Sequence, residues 1–321
     1  MARWLLIFAS VPPISSPVPE LPEVESLRLS LLPHLLGRSV AAARLYRRDV
    51  LIAPGDPPGG FPRQRNRATL RPKRISPADL LTGAAIVSLA RRGKQLAIIA
   101  RSPRAPTPEP DRALIVQLGM TGSLDALAPG DKPDAHTHAL WSLDSGLRIR
   151  FHDPRRFGSL RVFRAIADLD AHWAALGPDA LTITDADLHA ALARARRPIK
   201  AALLDQSVLA GVGNIYADEA LFLARIHPTA IAAGIPPANI ATLAAAIRSI
   251  LAAAVQAGGS TLRDYADANG AQGTYVASHR VYGRAGLPCT ICRSPLSHAL
   301  LVQRTTVWCP RCQPRPRIRP H

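Results

Sequence analysis

Apolar residues recur at steps of three and four through Val24, Leu27, Leu31 and Leu35, which puts them on one face and predicts a helix starting near Pro22 with one side buried. Pro22 suits the first helical position, where a missing N–H costs nothing, and Glu23 and Glu25 bring negative charge to the positive end of the helix. Glu20 falls just outside it. Pro33 and Gly37 are expected to stop the pattern. Beyond them, strand-length apolar runs at 39–46, 85–89, 96–100, 113–118, 139–143, 147–151 and 159–164 alternate with turn signals and predict a two-layer β-sandwich. The runs at 85–89 and 96–100 are joined by Ala90-Arg91-Arg92-Gly93-Lys94-Gln95, a hairpin with a basic tip. Near Leu169 the texture changes to Ala- and Leu-rich helical spacing, at 185–195, 199–209, 215–224 and 238–257, with Gly177-Pro178 as a linker. The fold class is therefore α+β.

Several segments carry neither period. Residues 53–60 are rich in Pro and Gly and 63–74 in Arg, which reads as a surface insertion, solvated or touching a polyanion. The polar stretch 264–274 is expected to be a mobile loop, and 314–321 a basic tail. The domains implied are an extension at 1–18, a sandwich at 19–168, a helical domain at 180–276, a small module at 281–313 and the tail.

Composition narrows the partners. With 321 residues and 47% hydrophobic residues the chain holds enough apolar surface for two cores, which excludes disorder throughout. Lys and Arg total 40 against 23 Asp and Glu, a formal charge of +17 that favours a polyanion. The run from Trp4 to Ala9 is far too short to cross a bilayer, so no membrane role is expected. Cys289 and Cys292, then Cys309 and Cys312, form two Cys-x2-Cys pairs sixteen residues apart, the spacing of a four-thiolate zinc ribbon. One structural zinc is expected, and reduced cysteines place the protein in the cytoplasm.

Four further segments put unusual residues in turns or at helix starts. Pro19-Glu20-Leu21-Pro22-Glu23-Val24-Glu25 sets carboxylates on a rigid helix start; alone it fits an acidic first turn equally well. Gln117-Leu118-Gly119-Met120-Thr121-Gly122-Ser123 and Asp153-Pro154-Arg155-Arg156-Phe157-Gly158 each follow a strand. Leu203 to Tyr216 reads as helix, two-glycine turn, helix, with Asn214 suited to an N-cap and the N–H groups behind it to a phosphate, although a plain helical hairpin fits as well.

From Pro19 to about Gln313, in this order, these segments resemble bacterial formamidopyrimidine-DNA glycosylase, a bifunctional family that removes oxidised purines and cuts the strand behind them. The resemblance implies a helix–two-turn–helix element and, as partner, duplex DNA containing oxidised bases or abasic sites, bound by a monomer. It makes Pro19 the nucleophile, Glu20 the general acid and Glu23 an organiser of the site. Lys94 would serve lesion contact and the first elimination, and Arg304 the second. Met120, Arg155 and Phe157 would fill the space left by an extruded nucleotide. His136, Lys200, Asn214 and Arg196 would contact the DNA backbone.

The chain departs from the family pattern in one respect: Met1 to Val18 precede Pro19. A peptide-bonded proline nitrogen has its lone pair delocalised into the carbonyl and cannot attack carbon. Val18, readable as a GUG start codon, is therefore expected to be the true initiator. Two alternatives remain open. One is an endonuclease VIII-like enzyme for oxidised pyrimidines, against which Leu21 argues because that branch carries Gly there. The other is a damage-binding protein whose blocked Pro19 leaves it without lyase activity.

Overall fold

The computed structural model describes residues 18–54, 76–102, 111–128, 130–261 and 265–315. The extension at 1–17, nearly all of the basic insertion and most of the tail lie outside these residues.

Helix α1 spans Leu21–Leu35, and Pro33 lies inside it instead of ending it. Pro33 is in the last turn on the exposed side, and the helix closes one turn later with Leu36 N–H donating to Leu32 O at 3.0 Å. The strands follow as β1 (Val40–Leu45), β2 (Leu51–Ile52), β3 (Ala85–Arg92), β4 (Gln95–Arg101), β5 (Arg112–Gln117), β6 (Ser123–Leu127), β7 (Thr137–Leu143), β8 (Arg148–His152) and β9 (Ser159–Phe163). One sheet has the order β1-β7-β8-β6 and the other β2-β9-β5-β4-β3. Among the described residues, all pairings in these two sheets are antiparallel except that of β2 with β9. The two sheets share a core that includes Leu96, Leu114, Leu124, Trp141 and Phe151. Sequence pattern does not reveal β6, because Asp125 interrupts its apolar positions and the Gly119–Gly122 turn masks its start.

The helices are α2 (Ile166–Ala174), α3 (Asp185–Leu192), α4 (Ile199–Leu203), α5 (Asn214–Leu223) and α6 (Pro237–Gln256). Helix α4 is far shorter than its apolar spacing predicts: Asp205 stops it by accepting the Ser207 N–H at 2.9 Å, a local bond that competes with the helix. Helix α6 is long and apolar enough to span a bilayer, yet Ile240, Leu243, Ile247 and Leu251 are buried in the helical core. A hairpin of β10 (Ser297–Leu301) and β11 (Arg304–Trp308) completes the fold.

Two segments cross between the cores. Leu21 is buried in the helical core, whereas Val24, Leu27, Leu31 and Leu35 of the same helix lie in the sandwich core. In return, Ala268 is buried in the sandwich core, its N–H donating to Ser30 Oγ at 3.1 Å and its carbonyl accepting Ala126 N–H at 3.0 Å. Asn269 Oδ1 lies 2.8 Å from His34 Nε2, and Tyr265 OH donates to Glu23 O at 2.5 Å. The segment expected to be a mobile loop is thus docked along α1 in its described part. Its polarity serves bonds to backbone, which composition does not distinguish from solvation.

Candidate active site and nucleic-acid interface

Glu20 is the N-cap of α1, and its carboxylate is aimed across the domain boundary. Oε2 accepts Gly213 N–H at 2.6 Å and Oε1 accepts Ile215 N–H at 2.9 Å. Gly213, not Asn214, is therefore the N-cap of α5. Sequence reasoning left these N–H groups free for phosphate; the structure gives them to Glu20. Asn214 instead turns its Nδ2 to Thr305 O at 3.1 Å, tying α5 to the β10–β11 hairpin. Gly213 is required here, since a Cβ would lie 2.3 Å from Glu20 Cδ and 2.6 Å from Lys94 Nζ.

Burial dominates the electrostatics. It pushes the Glu20 carboxyl up to about 7, with neighbouring Glu23 adding to the rise, against the pull of Lys94 and the two N–H donors. Burial likewise lowers Lys94 below the usual lysine range, opposed by Glu20 and Glu23. Both groups are thus brought nearer to proton exchange at neutral pH.

Lys94 sits in the two-residue turn between β3 and β4. Arg91 and Arg92, read as part of a basic tip, are strand residues that anchor this turn. Arg91 pairs with Glu25 of α1 at 2.8 Å and holds Asp179 in a fork of 2.7 and 3.0 Å. Asp179 also accepts Gly93 N–H at 2.8 Å, and Arg92 donates to Gly177 O at 2.9 Å. The interdomain linker therefore grips the turn that presents Lys94.

A cavity of about 380 Å³ brings Pro19, Glu20, Lys94, Met120, Asn214 and Arg304 together, along with Val18, Gln117 and Tyr282. Arg304 opens β11 directly after Val302 and Gln303, whose φ values of 51° and 56° form the left-handed pair that a two-residue hairpin turn needs. Val at positive φ is strained. That strain is held by a hairpin fixed at both sides: Lys200 pairs with Asp218 at 2.7 Å and donates to Thr306 Oγ1 at 2.8 Å, while Val307 N–H donates to Asp218 Oδ2 at 3.0 Å. Lys200, expected from the resemblance to contact the DNA backbone, is fully buried here. In this setting its ammonium supports the strand behind Arg304.

The Met120 turn and the Arg155–Phe157 turn are fastened together by Asp153. It accepts Thr121 Oγ1–H at 2.6 Å and Gly158 N–H at 2.7 Å, while Arg155 N–H donates to Thr121 Oγ1 at 3.2 Å. Gly119, at φ 72°, packs so closely that a Cβ would lie 2.5 Å from Gly158 N. The Arg155 guanidinium lies 5.1 Å from the Phe157 ring centre. His136 is exposed at the start of β7, edge-on to His152 at 5.8 Å, and Arg196 is exposed between α3 and α4; neither lines the cavity.

Sequence reasoning missed the groups that fix Glu23. Its Oε1 accepts Tyr216 OH and Ser260 N–H, each at 2.7 Å, and its Oε2 accepts Glu20 N–H at 2.8 Å. The four cysteine sulfurs lie within 4.8 Å of one another, with Cys289–Cys312 at 4.0 Å and Cys292–Cys309 at 3.4 Å. A tetrahedral zinc with bonds of about 2.3 Å sets its sulfurs ~3.8 Å apart, so the cluster fits such an ion.

Residues 18–160 match the formamidopyrimidine-DNA glycosylase N-terminal domain and residues 176–266 the formamidopyrimidine-DNA glycosylase H2TH domain. The chain belongs to this family. The formamidopyrimidine-DNA glycosylase of Stenotrophomonas maltophilia (strain K279a) is 41% identical over 302 residues, covering 92% of this chain and 100% of that protein. That of Methylococcus capsulatus is 37% identical with the same coverage. Among solved structures, the MutM (Fpg) protein of Thermus thermophilus is 35% identical with a TM-score of 0.72, covering 92% of this chain and 98% of that one. Lactococcus lactis Fpg in complex with abasic-site DNA is 27% identical with a TM-score of 0.75, covering 92% of this chain and all of that one.

Proposed function

We propose that the protein excises oxidised purines from duplex DNA and cleaves the resulting abasic site. The observation that carries this reading is the cavity in which Pro19, a protonatable Glu20, Lys94 and Arg304 converge. The relatives' printed names, and a Lactococcus lactis complex with Fapy-dG-containing DNA, agree with it.

In this reading the freed Pro19 nitrogen bonds to C1′ of the extruded nucleotide as the glycosidic bond breaks, and the base leaves with a proton. Glu20 gives its proton to the departing base, regains one from the Pro19 ammonium formed on attack, and gives that to the ring oxygen, so the sugar ring opens to an iminium between Pro19 and C1′. The iminium withdraws electrons and makes the 2′ proton removable. Loss of the 3′ and then the 5′ phosphate excises the sugar, with Arg304 placed to receive phosphate charge. The four cysteines hold one structural zinc, which supplies folding energy to the ribbon and no chemistry. Pro19 is free in the active protein, a reading favoured by the domain match that begins at residue 18.

The acid needs its proton, and its ionisation near pH 7 gives the sign of the pH dependence. Base excision should be level below pH about 7 and fall about tenfold per unit above it, because the folded carboxyl, raised by burial, then ionises. Glu20→Gln should lower the excision rate about 100-fold or more and abolish that limb. A profile rising through pH 8 in the native protein would remove Glu20 from the acid role.

Lys94→Ala is expected to slow excision of 8-oxoguanine about tenfold or more, the worth of one charged contact, while cleavage of a ready-made abasic site falls much less. Parallel single-turnover assays on the two duplexes check this, and equal losses would count against a base-removal role.

A further inference from the structure

His279 takes no part in the reaction described above, yet it ends a file of buried groups that starts at Glu23. Tyr216 OH lies 2.7 Å from Glu23 Oε1 and 3.2 Å from Ser260 Oγ, and Ser260 Oγ lies 3.0 Å from His279 Nε2. All four side chains are buried. Proton counting fixes the direction of the file. A carboxylate only accepts, so the single Tyr216 proton goes to Glu23. Ser260 must then give its proton to Tyr216, and it can only accept from His279. The ring proton therefore sits on Nε2. Burial lowers His279 to about 4, so the ring is neutral at working pH and this N–H is its only one. Tyr275 and Tyr282 meet the ring edge-on, at 6.0 and 5.6 Å between centres, and leave it little freedom to swing away.

We propose that His279 is a positioning residue for base excision, acting through Ser260 and Tyr216 to fix the Glu23 carboxylate. Glu23 receives the Glu20 backbone N–H, so the file sets the acid beside Pro19. The proposal rests on the reading of the site given above.

The test compares His279→Leu, which keeps bulk and loses the donor, with His279→Gln, whose amide N–H reaches to a similar distance. Single-turnover excision of 8-oxoguanine should slow about fivefold to tenfold in His279→Leu, the effect of one hydrogen bond, with unchanged affinity for the duplex. His279→Gln should return to within about twofold of the native rate by restoring that bond. Ser260→Ala should show the same loss, and the double variant Ser260→Ala, His279→Leu should be no slower than either single one, since both break one file. A native rate in His279→Leu, equal slowing in the Leu and Gln variants, or losses that multiply in the double variant would each overturn the proposal. Should His279→Leu not fold, Ser260→Ala, which removes one oxygen, still carries the comparison with the native protein. Native protein that excises no base would remove the reading of the site and this proposal with it.

Discussion

A protein whose chain begins at Pro19 is expected to form a borohydride-trapped adduct with an 8-oxoguanine duplex, and the same protein with Val18 retained is expected to form none. In the described chain Val18 lines the cavity beside Pro19 and occupies its nitrogen with a peptide bond. An amide nitrogen shares its lone pair with the carbonyl and offers nothing to C1′, so the difference is all or none. Glu20, Lys94 and Arg304 remain in place in both forms, and duplex affinity should differ little. Two proteins, one starting Met-Pro19 so that the Met is removed and one starting at Met1 with its mass verified, provide the comparison. Equal adduct from an intact long form would show that Pro19 is not the nucleophile. A long form that binds lesion DNA tightly and cuts nothing would be the damage-binding protein of the alternative reading.

The second large effect is expected at the ribbon. Cys309→Ser should lose its metal, measured as zinc per chain, and with it lesion-duplex binding, while the sandwich stays folded. The apolar cluster of the ribbon is small: Val281, Leu296 and Val307 with Cys289 and Cys309, completed by Phe222 borrowed from α5. So few side chains cannot offset the chain entropy of the segment without the metal, whose binding contributes about 10–16 kcal/mol in comparable modules. Arg304 would then have no fixed strand beneath it, and the loss of that charged contact alone weakens binding about tenfold or more. Amide exchange should show protection retained in β3, β4 and β5 and lost from β10 and β11. Zinc retained with normal binding would overturn the ribbon assignment.

What the sequence disclosed was local. Periodicity located α1 and most strands, the heptapeptide marked Glu20 and Glu23, and cysteine spacing marked the metal cluster, because each depends on neighbours within a few residues. The partners of those groups were hidden. Glu20 is bonded to Gly213, 193 positions away, and Glu23 to Ser260, 237 positions away. No period or spacing encodes such a meeting; only the topology that folds α1 into the helical domain creates it. The surroundings of Lys200 were hidden for the same reason, since nothing near it in sequence announces that Asp218 and Thr306 enclose its ammonium.

The division of α1 between two cores also bears on how the protein is made. Glu20 to Glu25 leave the ribosome early, but Gly211, Gly213, Ile215, Tyr216 and Ser260, which seat Leu21, Glu20 and Glu23, are synthesised nearly 200 residues later or more. Domains fold as units from the N-terminus during synthesis, so the sandwich can close on Val24, Leu27 and Leu31 while the acid still lacks its N–H donors. The reactive carboxyl is thus completed only when the DNA-reading half exists. A chain that ends before Gly213 therefore carries Pro19, Glu20 and Lys94 without the N–H groups that hold the carboxylate.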